Sequence, residues 1–236
     1  MSDEQWCLPA LALLRLQSWL SPAFPIGSYS YSHALEWAVE AGHVFDRKSL
    51  VDWLEAGLHY GSGRNEAIFF SIAWRSTIGD DRAKLLEIAE LAAVFRGTSE
   101  FALESSQQAT ACLAALRQVW PDRFLDWLQD ILRERRVQPA LAVVLGVCSA
   151  RQGIPASLAL PAFLQSFVAN LVTAGVRLIP LGQTEGLLAI AELEEAVLAV
   201  STQTKQATIE DLGSAAFMVD LGSAMHETQY TRLFRS

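Results

Sequence analysis

Charge is scarce in this sequence. Of 236 residues 19% are charged, and 18 Lys and Arg stand against 26 Asp and Glu, for a formal net charge of -8. There is no basic tract, which argues against a protein that tracks nucleic-acid phosphates along its surface. Cysteine is scarcer still. Cys7, Cys112 and Cys148 are odd in number, widely spaced and without a C-x-x-C pair, so they read as reduced core thiols of a cytosolic protein. The start, Met1-Ser2-Asp3-Glu4, lacks the basic region of a secretory signal, and the apolar run from Leu8 is therefore not a leader. Nucleotide-loop, zinc-protease, hydrolase and calcium-loop motifs are all missing. Sustained period-two alternation, internal repeats and low-complexity linkers are absent as well.

Apolar residues fill the space that charge leaves, at 51% of the chain. A chain of this length buries a core without disulfide staples. The periodicity is helical almost throughout: Leu8, Leu11, Leu14 and Trp19 recur at helical steps, and Ser21 to Gly27 then breaks the pattern with two prolines and a glycine. A helix from about Tyr29 to Ala41 is predicted to stop at Gly42. Asp46 or Ser49 caps the next, from which Leu50, Val51, Leu54 and Leu58 project. Gly61-Ser62-Gly63 reads as a helix break before a run from Glu66 to Ile78. Gly79-Asp80 gives a stop and a cap before the stripe Leu85, Ile88, Ala89, Ala92 and Phe95. Gly97-Thr98-Ser99 repeats that logic ahead of a long helix to about Trp120. Pro121, Pro139, Pro155 and Pro180 punctuate the rest. The fold class is therefore all-α, a single-domain bundle of roughly eight to ten helices.

Gln152 to Val176 holds no charge over 25 residues, long enough to span a bilayer. Its large apolar residues, Leu160, Phe163, Leu164, Phe167, Val168, Leu171 and Val172, fall near helical spacing, so a buried helix is the preferred reading and no membrane contact is assigned. From Val137 to Val176 the only charge is Arg151. Helices this poor in polar faces belong to the core, to a subunit interface or to both, which suggests a homodimer. The ratio of 15 Arg to 3 Lys also fits protein partners.

Candidate chemistry is thin. His33 and Glu36 would lie one helical turn apart and could share a metal, but two ligands do not close a site, so a structural or partner-facing histidine is preferred. His43 and His59 suit helix ends or the surface, and His226 beside Glu227 suits hydrogen bonding. Glu100 with Glu104, and Glu192 with Glu194 and Glu195, read as solvated faces. Arg133, Glu134, Arg135 and Arg136 read as surface complementing a helix end, with an arginine finger for a GTPase as the alternative. No nucleophile with a positioned base is visible. Two segments stand out. Phe24 to Tyr31 joins aromatics, prolines and hydroxyls in a loop, a common recognition surface. Met225 to Ser236 carries Tyr230, Arg232, Leu233, Phe234 and Arg235, residue types that anchor interfaces; it either packs on its own domain or orders on a partner.

Three motifs carry a resemblance. Ser21-Pro22-Ala23-Phe24-Pro25-Ile26-Gly27-Ser28-Tyr29-Ser30-Tyr31-Ser32, closed by Leu35-Glu36, resembles the N-terminal signature of the urease accessory protein UreF family. Val176-Arg177-Leu178-Ile179-Pro180-Leu181-Gly182-Gln183-Thr184 is similar to that family's arginine and Pro-Leu-Gly-Gln segment, and Met225 to Ser236 is similar to its ending. The chain departs from the family at Ala34, often Gly, and at Gln138-Pro139, which replaces a frequent His. The resemblance implies an all-helical, dimeric, cytoplasmic and non-catalytic chaperone without a cofactor or resident metal. It implies a complex with the UreD (UreH) scaffold and the UreG GTPase that helps load nickel into apo-urease alongside lysine carbamylation.

On the GTPase side the resemblance implies Phe24, Pro25, Gly27, Tyr29, Ser32, Glu36, Arg177, Pro180, Leu181, Gly182 and Gln183. On the UreD side it implies His226, Tyr230, Arg232, Leu233, Phe234 and Arg235, in a tail that becomes ordered against UreD. The organisation that follows is a helical core over 1–213 and a partner-binding extension over 214–236. A nickel-binding transfer protein and a helical enzyme of unknown reaction are the alternatives.

Overall fold

A computed structural model describes residues 10–236, and the readings made of Met1 to Glu4, Cys7 and Leu8 lie outside the described residues. The described residues form twelve α-helices, two 3₁₀ turns and no strand. In chain order the helices are α1 (Ala10–Trp19), α2 (Leu35–Glu40), α3 (Arg47–Tyr60), α4 (Ser62–Ile78), α5 (Arg82–Val94), α6 (Ser99–Val119), α7 (Arg123–Arg135), α8 (Leu141–Arg151), α9 (Ala156–Leu178), α10 (Gln183–Glu192), α11 (Glu194–Thr204) and α12 (Phe217–His226). The all-α reading holds. The count is higher in part because α10 and α11 meet at Leu193 without a proline or glycine between them.

Caps act where short polar side chains precede apolar periodicity. The Asp46 carboxylate accepts the Ser49 N–H and Ser49 answers the Asp46 N–H, closing a capping box on α3. Asp81, one residue past the expected position, caps α5, while Asp80 turns the chain at φ 50°. Thr98 caps α6, and Asp122 caps α7.

The core centres on α4 and α8. Every residue of α8 from Ala142 to Ala150 is buried, as are Ala67 to Ala73 on α4. Gly146 lets the two helices touch: a Cβ there would lie 2.7 Å from the Phe70 carbonyl oxygen. One continuous apolar cluster runs from Ala12 on α1 to Phe234 in the tail.

The uncharged stretch becomes α9, the one described helix long and apolar enough to cross a membrane; half of its most apolar window is buried. Leu160, Phe163, Leu164, Val168, Leu171 and Val172 face inward, so α9 serves as a core helix. Of the two helices of Val137 to Val176, α8 is core from Ala142 to Ala150, while α9 buries one face and leaves Leu158 exposed. Cys112 and Cys148 are free and buried, and burial pushes both thiols up from their ordinary range.

The helix expected from Tyr29 to Ala41 is also corrected. Ser28–Ser30 is a 3₁₀ turn, Tyr31 is extended, and His33 and Ala34 have φ of 55° and 67°. Those left-handed angles postpone α2 to Leu35. Ala34 thus occupies a conformation that favours glycine.

Candidate functional site

The two flanking motifs meet on the surface beside α6, and Glu36 is where they join. This carboxylate is 7% exposed, yet it holds three donors from the other end of the chain. Its Oε1 accepts the Leu233 N–H at 2.6 Å, and its Oε2 accepts the Phe234 N–H at 2.9 Å and faces His226 Nε2 at 3.1 Å. His226 is fully enclosed. Its other nitrogen, Nδ1, lies 2.7 Å from Glu100 Oε2, and Arg232 donates to Glu100 Oε1 at 2.8 Å. A buried charge is tolerated only when paired in this way.

The chain continues along the same groove. Arg235 donates its backbone N–H to the Ser30 carbonyl at 2.9 Å, and Ser32 donates its N–H to the Ser236 carbonyl at 2.9 Å. The Ser32 hydroxyl donates to that carbonyl too. Ser236 Oγ donates to Glu104 Oε2 at 2.7 Å. The middle motif enters through Arg177, which donates to the Tyr29 carbonyl at 3.0 Å while its guanidinium lies 4.5 Å from the centre of the Phe234 ring. Asn170, two turns earlier on α9, donates to the Ser28 carbonyl at 3.1 Å.

Several expectations change here. Glu100 and Glu104 are not a solvated face; both are 8% exposed and hold the tail. Sequence reasoning missed them because their partners in the tail lie more than a hundred residues away. His226, Phe234 and Ser32 are buried, so they support the surface instead of presenting it. The expectation that the tail becomes ordered only against a partner is likewise corrected: it packs on its own chain, because Glu36, Glu100, Glu104 and Ser32 satisfy its polar groups.

Phe24 is buried, whereas Tyr29 is 69% exposed and Tyr230 and Leu233 project outward with Arg232 and Arg235. Pro25 is exposed and Gly27 takes a left-handed turn at φ 71°. Pro180, Leu181, Gly182 and Gln183 form the turn into α10 and make no hydrogen bond to the loop or the tail. His33 and Glu36 diverge, since the left-handed backbone at His33 and Ala34 sends the imidazole to Glu104. Among the described residues no three His, Cys, Asp or Glu side chains are grouped to hold a metal. The two carboxylates beside His226 face opposite ring nitrogens, so these three donors do not converge on one point.

What the fold and this surface define is a helical protein whose most elaborate polar construction fastens chain segments together and leaves aromatic and arginine side chains outward. The comparisons are specific. A family model described as UreF matches residues 44–194. Proteins named urease accessory protein UreF match along nearly their whole length. One from Rhodopseudomonas palustris (strain BisB5) is 45% identical over 236 residues, covering 100% of this chain and 94% of the relative. One from Bradyrhizobium diazoefficiens is 46% identical, covering 96% and 93%, and one from Granulibacter bethesdensis is 46% identical, covering 95% and 94%. The chain belongs to the UreF family of urease accessory proteins.

Proposed function

We propose that this chain is a non-catalytic, cytoplasmic scaffold of urease maturation that joins UreD (UreH) and the UreG GTPase and couples GTP turnover to nickel insertion into apo-urease. Nickel is cargo in this reading. The observation that carries it is Arg177, which touches the Tyr29 loop and the Phe234 ring at once. The loop, the end of α9 and the tail therefore form one surface, and a partner that moves the tail also moves the loop. Tyr29, Pro25 and the Pro180 to Gln183 turn belong to the GTPase side. Residues 214–236 are the extension that engages UreD, with Tyr230, Leu233, Arg232 and Arg235 exposed for it beside the outward face of α12, where Phe217, Met218, Leu221 and Met225 are uncovered. The scaffold does work only if it binds one nucleotide state of the GTPase better than the other, because equal affinity shifts nothing. A homodimer is supported by the outer face of α9, where Leu158 is exposed, Ala162, Gln165 and Ser166 are half-buried, and no charge intervenes.

Capture of UreD and UreG by the full chain and by a chain ending before Met225 tests the proposal. The shortened chain is expected to lose UreD, and unchanged capture would overturn the tail's role. A second measurement is the GTP hydrolysis rate of UreG in the presence of UreD, with and without this chain.

A further inference from the structure

Behind the tail, Glu104 has a second partner. Its Oε2 lies 3.2 Å from His33 Nδ1, and on the far side of that ring Nε2 lies 2.6 Å from Ser62 Oγ. A carboxylate, an imidazole and a serine hydroxyl in this order orient one another. The carboxylate fixes the proton on Nδ1, which leaves the Nε2 lone pair to accept from the hydroxyl. The ring is locked in place, stacked on Phe101 with centroids 4.0 Å apart and planes at 11°, and set edge-on to Phe167 at 5.4 Å. His33 also sits at the left-handed φ of 55°, and strained backbone of this kind concentrates at functional sites.

The hydroxyl opens onto space. Ser62 and His33 line a cavity of about 330 Å³, whose other walls include Asn65, Val94, Phe95 and Phe101 and the charged Arg96 and Asp220. Ser62 is the first residue of α4, between Gly61 and Gly63, and the first backbone N–H groups of a helix have no acceptor within it. Cβ atoms at these glycines would come to 2.9 Å from Ala216 and from Leu58 respectively, so the backbone on either side of the hydroxyl is tightly fixed. Asn65, buried on the same turn, accepts the Gly213 N–H at its Oδ1, while its amide nitrogen has no acceptor among the described residues.

We propose that Ser62, His33 and Glu104 form a second functional site, a serine acyl-transfer centre acting on small esters whose short apolar acyl group rests against Val94, Phe95 and Phe101. Ser62 and His33 are the catalytic residues, and Glu104 is a positioning residue. Ser62 Oγ forms a bond to the ester carbonyl carbon as its proton passes to His33 Nε2 and the carbonyl π pair moves to oxygen. The Asn65 amide and the first N–H groups of α4 supply donors for that oxyanion. Collapse of the tetrahedral species restores the carbonyl and breaks the bond to the alkoxide, which takes the proton from Nε2 and leaves as an alcohol. Water then attacks the acyl-serine, its proton passing to His33; the acid departs and Ser62 recovers its hydrogen. The sum is ester plus water giving acid plus alcohol. This centre does not depend on the scaffold reading, in which the chain is non-catalytic toward urease maturation itself.

The test is reaction of the full-length folded chain with an alkyl fluorophosphonate, located by peptide mass spectrometry, together with turnover of p-nitrophenyl butyrate. A single adduct on Ser62 is expected, absent in Ser62→Ala and about 10²-fold or more slower in His33→Gln. Glu104→Gln is expected to lower the rate in the folded chain and Glu104→Asp to restore part of it, a rescue that a merely structural loss would not show. Circular dichroism reports that each variant is folded. No adduct on Ser62 in the folded wild-type chain, or an adduct formed equally fast in folded His33→Gln, overturns the proposal. UreD and UreG capture by Ser62→Ala is expected to be unchanged, so this test and that of the scaffold fail separately.

Discussion

Glu36 and Phe234 are 198 residues apart in the chain, and the backbone N–H of Phe234 donates to Glu36 Oε2 at 2.9 Å. That contact sets the geometry of the whole face. Beside it the carboxylate meets Leu233 and His226, so a single side chain on the short α2 helix fixes the direction of the last ten residues.

Replacement of Glu36 by Ala removes the acceptor of two backbone N–H groups and exposes His226 to an unbalanced site. Loss of one member of a buried charged set costs about 3 kcal/mol. The expected outcome is a tail that exchanges its Leu233 and Phe234 amide hydrogens far faster while the α4 and α8 amides stay protected. Hydrogen exchange read by NMR or peptide mass spectrometry checks this, and uniform loss of protection over the whole chain would contradict it.

At Arg177 two modest interactions act together, a hydrogen bond to the Tyr29 carbonyl and a contact with the Phe234 ring. Each is worth about 1 kcal/mol. Arg177→Ala is therefore expected to lower the melting temperature slightly and to weaken UreG capture strongly. Arg177→Lys should not restore capture, because an ammonium lacks the planar fork that serves both contacts at once.

Gly146→Ala tests the core crossing. The added methyl would sit 2.7 Å from the Phe70 carbonyl oxygen and 3.2 Å from the Ala73 Cβ. Backbone cannot yield as a flexible side chain does, so a destabilisation of about 2–3 kcal/mol is expected in urea or thermal unfolding. A neutral result would show that α4 and α8 separate more readily than their burial implies.

Burial raises the thiols of Cys112 and Cys148, desolvation being the first cause in each case. In the folded chain they keep their protons at pH 9, whereas in the unfolded chain they ionise above about 8.5. The unfolded state then binds fewer protons, so their contribution to stability is complete below that value and declines as pH rises beyond it. Folded protein is expected to leave both thiols unmodified by iodoacetamide at pH 8 and to react fully in denaturant. Equal rates in the two states would refute the assignment.

Much of the helical layout was legible from local rules. Asp46 and Thr98 announce helices because a short polar side chain satisfies N–H groups that the helix cannot. The uncharged stretch before Val176 announces α9 because nothing in it needs water. The loop from Ser28 to Ala34 did not read correctly, since left-handed angles at His33 and Ala34 have no signature in ordinary side chains.

By itself the sequence determined an all-helical chain with an apolar centre, and three motifs that mark its family. Those follow from periodicity, capping and residue identity, which act over a few positions. Only the tertiary structure decided that Glu100 and Glu104 are buried, that the tail lies against Glu36, and that Ser62 faces His33 at 2.6 Å. Each depends on partners brought together from distant parts of the chain, and a carboxylate or histidine looks the same in sequence whether water or another side chain completes its hydrogen bonds.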